Sequence, residues 1–419
     1  MTMRMEVDDV AVVEELPRRR GCPIDHKAFG GAKTSPKVET GGAPIEQDAA
    51  GVWHVRSYEA VRAVLRSNAT KQAGFKAELL EGMARTMRPP VLYQDGQEHH
   101  LQRKQTARFF TPKAVSENYR QLMEHLADQI VAELIERRRA DLSALSMRLA
   151  VRVASEVVGL TDSRLPGMDQ RLNAFFMNDV TSFSWRPRAL LELFNNHTRI
   201  LKFFYLDVKP AIKARRRAPK NDVISHLSES GYRDSEILTE CITYGAAGMA
   251  TTREFISVAA WHMLEQPELR AHYLAGDEQQ RQVLLQEILR LEPVVGHLQR
   301  RATADIEIEA DGASMTIPAG ALIDLHISGA NTDPAAVGAQ PLAICPAREL
   351  QADRATPAVM SFGDGAHRCP GAYIAIQETD LFLQRLLRVP GLHIERAPTV
   401  TWSKLTAGYE LRDFIIAVD

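Results

Sequence analysis

At 419 residues the chain is long for one compact core, and 45% hydrophobic with 25% charged residues is ordinary for a globular protein. A formal net charge of −2 leaves no global basic field to attract nucleic acid, and clusters such as ARRRAPK (214–220) read as solvated loops. Cys22, Cys241, Cys345 and Cys369 are far apart with no C-x-x-C pair, which argues against a disulfide framework or a structural zinc site.

The opening MTMRMEVDDVAVVEELPRRR is broken by charges, so it reads as neither signal peptide nor anchor. No run of about 18 apolar residues occurs, which excludes a spanning helix; a cytoplasmic enzyme is expected. Residues 1–45 carry Gly, Pro and charge without periodicity and read as a flexible segment; 46–419 reads as a single domain. GVWHV (51–55) predicts a short strand, and Ser57 is placed to cap the helix YEAVRAVLRS. Leu122, Leu126, Ile130 and Leu134 recur at helical spacing, Gly159 is a plausible stop, and helical text continues to about 292. Ile306 and Ile308, a DG pair at 311–312, then Met315 and Ile317 predict a β-hairpin. LFLQRLLRVPG (381–391) returns to helix before a β-like tail. The fold class is mainly α with a minor, late β portion.

SFGDGAHRCPGAY (361–373) sets Cys369 among glycines beside a histidine and an arginine. Pro370 suits the first position of the helix that follows, which would make Cys369 the N-cap, facing free amides and the positive end of the helix dipole. Gly363, Gly365 and Gly371 would let backbone approach a flat ligand, and Phe362 would shield the sulfur. These are the needs of a metal-bound thiolate; a buried free cysteine in a glycine loop is the alternative.

The order F-G-x-G-x-H-R-C-x-G, with Phe362, Gly363, Gly365, His367, Arg368, Cys369 and Gly371 in place, resembles the haem-binding signature of the cytochrome P450 family. The resemblance implies the cytochrome P450 fold, with haem b (iron protoporphyrin IX) between long helices and Cys369 as axial iron ligand. A thiolate there pushes electron density onto iron and favours O–O cleavage. It further implies His367 near a haem propionate and Arg368 on the surface where an electron donor docks.

In DGQEHHLQRKQTARFF (95–110), Asp95 and Glu98 suggest a capping box, while His99 and Arg103 share one helical face. That face suits an anionic group or is simply an exposed polar face; by the resemblance it binds the propionates, as does Arg300. Glu287 and Arg290 stand at i, i+3 among apolar residues, and the family's Glu-x-x-Arg pair locks onto a second arginine upstream of the cysteine loop. Arg354 stands at the appropriate place, and the constellation is structural.

TYGAAGMATTREF (243–255) lies in helical text but carries Gly245, Gly248 and two threonines, so a local distortion near 248–251 is expected. On its own it reads as a small-residue patch where helices cross; by the resemblance it is the oxygen-binding groove, [AG]-G-x-[DE]-T-T, here Ala247-Gly248-Met249-Ala250-Thr251-Thr252. Thr251 would hydrogen-bond bound dioxygen, but Ala250 occupies the place of the acid that helps deliver protons. Glu254 is a substitute or a solvated helix residue, and the latter is preferred.

The resemblance thus implies a monooxygenase of secondary metabolism that takes O2, a small apolar or aromatic substrate, and electrons from a separate ferredoxin or similar donor, as in soluble bacterial members. Ala250 motivates an alternative, oxidative coupling, cyclisation or peroxide-driven oxidation; a haem gas sensor is a third. The pocket would draw on residues 75–94, NAFFMNDVTSFSW (173–185), Tyr244, Ala247, Val295 and His297. Phe175, Phe176 and Phe183 are core residues or substrate contacts, and His297 faces the pocket or a loop surface.

Overall fold

The computed structural model describes residues 32–34, 42–75, 77, 87–176, 198–310, 312–345, 348–403 and 407–419. β1 (Ile45–Gln47) and β2 (Trp53–Val55) lead into α1 (Tyr58–Arg66), whose Ala60, Val61, Val64 and Leu65 form one buried stripe. Ser57 holds the N-cap position but makes no side-chain cap bond; the Tyr58 amide donates instead to Asp333 Oδ2 at 2.8 Å. The segment expected to be flexible is partly anchored. Thr34 Oγ1 donates to the buried Glu292 at 2.5 Å, and Ile45 already belongs to a strand; residues 1–31 and 35–41 lie outside the described residues.

β3 (Thr70–Ala73) and α2 (Gly96–Thr106) precede the long helices α3 (Arg120–Arg137) and α4 (Leu142–Val158), with β4 (Arg139–Asp141) between them. Gly159 ends α4 at φ +97°, where a Cβ would stand 2.6 Å from Asp222 Cγ, so both backbone and space require glycine. α5 (Asp234–Gly245) and α6 (Thr251–Glu265) cross the molecule almost as one helix, and α7 (Glu278–Leu291) follows. α4 packs on α6, and α3 packs on the late helix α8 (Ala372–Leu386). Met123, Leu149, Val258 and Phe382 belong to the apolar cluster these helices share.

β5 (His297–Ala302) and β8 (Leu322–His326) complete a five-stranded sheet ordered β1-β2-β8-β5-β3, parallel only between β2 and β8. Between them β6 (Ile306–Ala310) and β7 (Ala313–Ile317) form the expected hairpin, Ile308 opposite Met315, with Gly312 at φ +76° and Asp311 outside the described residues. The tail is β9 (Leu392–Arg396), β10 (Thr399–Ser403), β11 (Gly408–Arg412) and β12 (Ile415–Val418), with β12 between β4 and β9. No helix among the described residues is long and apolar enough to cross a membrane.

Glu287 of α7 holds Arg290 at 2.8 and 2.9 Å, and all but a few per cent of both side chains is buried. Its third partner is Arg348, at 3.0 Å and 5% exposed, not Arg354. Arg354 sits at φ +56° with a side chain 79% exposed and Asp353 3.7 Å away. The Cys345 amide also donates to Glu287, the Arg348 amide donates to the Cys345 oxygen at 3.0 Å, and the Arg348 guanidinium donates to the main-chain oxygens of Val337 and Ala343. Arg290 likewise donates to the oxygens of Asn331, Pro341 and Ala343, so two cations and one carboxylate staple this loop to α7.

Removing one partner strands a buried charge, so Glu287→Ala or Arg348→Ala is expected to lose about 3–5 kcal/mol of stability. Arg354→Ala is expected to stay within about 0.5 kcal/mol. Denaturant midpoints followed by circular dichroism check both; equal losses at Arg348 and Arg354 would contradict the pairing.

Candidate functional site

The cysteine loop is set by glycine. Gly363 and Gly365 adopt φ +67° and +66°, and a Cβ at Gly365 would stand 2.2 Å from the Leu65 main-chain oxygen. Asp364 accepts from Arg66 Nε at 2.8 Å and from the Gly365 amide at 2.7 Å, docking the loop on the end of α1. The Cys369 amide donates to the Phe362 oxygen at 2.8 Å, which fixes the sulfur's backbone.

The helix after the loop starts two residues later than expected: Gly371, not Cys369, is its N-cap. The Gly371 amide still points at the Cys369 sulfur, but the balance is not what the sequence suggests. Burial pushes the thiol up, outweighing the downward pull of that amide, Arg103 and Arg368. Yet the Cys369 side chain is exposed. It therefore faces a recess: accessible, but too enclosed for a thiolate unless a cation binds it.

The flank of the recess is lined by basic side chains, two histidines and two arginines. His99 of α2 is buried and stacks on His367, ring centroids 4.1 Å apart, and His367 Nε2 lies 3.1 Å from Asp95 Oδ1. Asp95 and Glu98 form no capping box; Asp95 serves His367 and accepts from the Gln72 amide instead. Burial, then His367 and Arg103, lower His99 to about 4. Arg300 on β5 is 3% exposed and, among the described residues, bonds only neutral oxygens, Gln72 Oε1 at 2.7 Å and the Gln299 main chain at 2.8 Å. Burial lowers its guanidinium to about 10, with Asp95 offsetting only part of the effect. Arg103 reaches the Arg368 main-chain oxygen and lies close enough to Cys369 to interact with its charge.

The α5–α6 helix is interrupted where expected, by a π-type turn over Ala246–Ala250. Thr251 Oγ1 donates back to the Ala247 oxygen at 2.5 Å, and Ala247 is exposed although it lies midway along a helix of the core. Ala250 is buried and brings no acid. Glu254 is not solvated, contrary to expectation: it is 3% exposed and accepts from Arg253 at 2.8 Å, Arg412 at 2.7 Å and the Leu411 amide at 2.8 Å. It ties α6 to the tail through Arg412 and the Leu411 amide. A carboxyl that the sequence motifs did not single out is Glu378 on α8. It is 3% exposed, is hydrogen-bonded to Thr252 and leaves Oε2 unpartnered; burial pushes it well up, so it holds its proton. An acidic residue on a helix buried nearly all round was the available signal.

Other pocket candidates fall differently. Tyr244 is turned toward α2, stacking on Phe110 at 6.0 Å with its hydroxyl on Thr106. Val295 is half-buried between α7 and β5. His297 does not face the recess: strand alternation puts it on the face opposite Arg300 and Leu298, with Nδ1 3.0 Å from Asp324 Oδ2. The side chains of Phe175 and Phe176, Phe183, and most of 76–86 lie outside the described residues. A cavity of about 680 Å³ lined by Leu126, Arg148, Val151 and Met168 contains none of these residues and is no part of the site.

The residues present fit a porphyrin carried by sulfur. An accessible thiol that needs a cation, a buried arginine bonded only to neutral oxygens, and two histidines with Arg103 around a single carboxylate suit an iron centre with anionic arms. A Cβ on Gly371 would meet nothing within 4 Å, which leaves room for a flat ring beside the sulfur.

Comparison with known proteins agrees. The family model "Cytochrome P450" matches residues 281–394. The chain is 29% identical over 363 residues, 82% of it and 83% of the relative, to the erythromycin C-12 hydroxylase of Saccharopolyspora erythraea. It is 25% identical over 359 residues, 82% and 84%, to the biotin biosynthesis cytochrome P450 of Bacillus subtilis. The crystal structure of CalO2 superposes with a TM-score of 0.74 at 22% identity, covering 90% of this chain and 93% of the other, which shows the fold. A helix broken by a π turn and an accessible cysteine in a glycine-bent loop, on this fold and among these relatives, support one assignment: a bacterial-type cytochrome P450, a haem-thiolate oxidoreductase of the monooxygenase class.

Proposed function

We propose that the protein inserts one atom of dioxygen into a small, largely apolar molecule, using haem b held by Cys369. The observation that carries this is the sulfur itself, accessible yet pushed toward the neutral thiol by burial, so that it gains most from binding a cation. His99, Arg103, Arg300 and His367 would hold the propionates, and Arg300 would exchange a desolvated, neutral environment for a charged partner. When bound, the haem supplies the oxygen-activating redox chemistry, with the thiolate donating electron density to the iron. Arg368, exposed on the outer side of the loop, suits the docking of a separate electron donor of the ferredoxin class. The similarity to an erythromycin hydroxylase supports a substrate drawn from secondary metabolism.

Protons reach the threonine pair by a route without Ala250. Glu378 keeps its proton through burial and offers it beside Thr252, the neighbour of Thr251. Thr251, whose hydroxyl is bound back to Ala247, would orient the distal groups. The alanine at 250 favours a second reading, oxidative coupling or ring closure, or oxidation driven by peroxide, which brings its own protons and so bypasses the relay.

The reduced, carbon-monoxide-bound spectrum tests the assignment. The red-shifted Soret band of a thiolate-ligated haem is expected, and Cys369→Ala is expected to abolish it; a band at the globin position would overturn the reading. Ala250→Asp is expected to raise coupling of electron use to product if oxygen insertion is the native chemistry, and Glu378→Gln to lower it by roughly 10²-fold or less, with a changed solvent isotope effect. If Ala250→Asp leaves coupling untouched while Glu378→Gln abolishes it, Glu378 alone carries the relay. If neither variant moves the isotope effect, the proton route through Thr252 fails.

A further inference from the structure

The face of the five-stranded sheet turned away from Arg300 carries a second polar cluster that the reaction does not use. His54 on β2 is paired in register with Asp324 on β8, and His297 on β5 with His326 on β8; strand alternation sends all four side chains to the same face. His54 Nδ1 lies 2.9 Å from His326 Nε2 and 3.4 Å from Asp324 Oδ2, and His326 Nε2 lies 3.5 Å from the same oxygen. The side chains are 21%, 12% and 6% exposed for His54, Asp324 and His326, so the cluster opens to solvent on one side only.

Two imidazoles and one carboxylate thus aim three ligand atoms at one point. With Zn–N and Zn–O bonds of about 2.0–2.1 Å, the ligand atoms of a tetrahedral zinc site stand about 3.3–3.5 Å apart. The spacings here are close to that without movement of the strands. The surroundings select the correct ring atoms. His54 Nε2 faces Asp48 Oδ2 at 3.2 Å, and Asp48 is itself fixed by the amides of Ala50 at 2.9 Å and Val52 at 2.8 Å. A proton committed to Nε2 leaves the lone pair of His54 on Nδ1, toward the cluster. His297 Nδ1 meets Asp324 Oδ2 at 3.0 Å and orients the carboxylate, while Asp324 Oδ1 is buried without a hydrogen-bond partner. A carboxylate steered by one imidazole and facing two others, beside a histidine oriented by a second carboxylate, is the outer-shell arrangement of metal-binding histidines.

We propose that His54, Asp324 and His326 form a second metal site for a zinc-type divalent cation, with Asp48 and His297 as positioning residues and water completing the shell. On binding, the ion replaces the proton shared between His54 Nδ1 and His326 Nε2, and that proton leaves to solvent. The site ties β2 to β8 across the parallel pairing of the sheet. It has no part in oxygen chemistry.

The test uses haem-loaded enzyme, dialysed against chelator and titrated with Zn²⁺ in competition with a chromophoric chelator, with metal analysis after desalting. One zinc per haem is expected. His54→Gln and His326→Gln are each expected to reduce bound zinc to background, and Asp48→Asn to weaken binding about 10–100-fold. The reduced carbon-monoxide spectrum, unchanged in each variant, reports that the fold persists; His54, the more exposed ligand, serves if His326→Gln does not fold. No stoichiometric zinc on the parent enzyme, or equal zinc on parent and His54→Gln, would overturn the site and leave only a hydrogen-bonded histidine network.

Discussion

A sulfur that is accessible but electrostatically unwelcome as an anion is the constraint around which this molecule is arranged. The loop that carries Cys369 is bent at two left-handed glycines, one of which touches the Leu65 oxygen so closely that no side chain is tolerated. Asp364 fastens it to α1, and Glu287 with Arg290 and Arg348 fastens the preceding loop to α7. These contacts stabilise a geometry, not a charge: burial raises the thiol, and the Gly371 amide and two arginines do not compensate. Binding iron would resolve the mismatch, and affinity for the cofactor and the electron-donating character of the ligand would then share one physical origin.

The same economy governs the flank. Arg300 is held away from any salt-bridge partner among the described residues, and His99 is held neutral down to about 4, both through burial. A buried cation bonded only to neutral oxygens is unfavourable on its own and becomes favourable when an anion arrives. The π turn at Ala246–Ala250 opens the helix while Thr251 satisfies the Ala247 oxygen, and Glu378, hydrogen-bonded to Thr252, would supply the acid that position 250 lacks.

What was legible in the sequence was local and dense. The cysteine loop spells out its glycines in order, the Gly248 and Thr251 region announces its distortion, and the Ile306–Ile317 alternation defines its hairpin. What depended on distant segments was not. Arg348 and Arg354 are equivalent on paper, yet one is buried against Glu287 and the main-chain oxygens of Val337 and Ala343 while the other is exposed. Glu254 looks solvated until Arg412 arrives from the tail, 158 positions away. The N-cap moved from Cys369 to Gly371 because Pro370 and Gly371 form a turn before the helix begins. The orientation of His297 was recoverable, since a strand that points Arg300 at the recess must point position 297 away.

X-ray absorption at the iron edge of the haem-loaded protein tests the central claim most directly. A single sulfur scatterer in the first coordination shell, present in the native protein and lost in Cys369→His, is the predicted result. A first shell of nitrogen and oxygen alone in the native protein would contradict it.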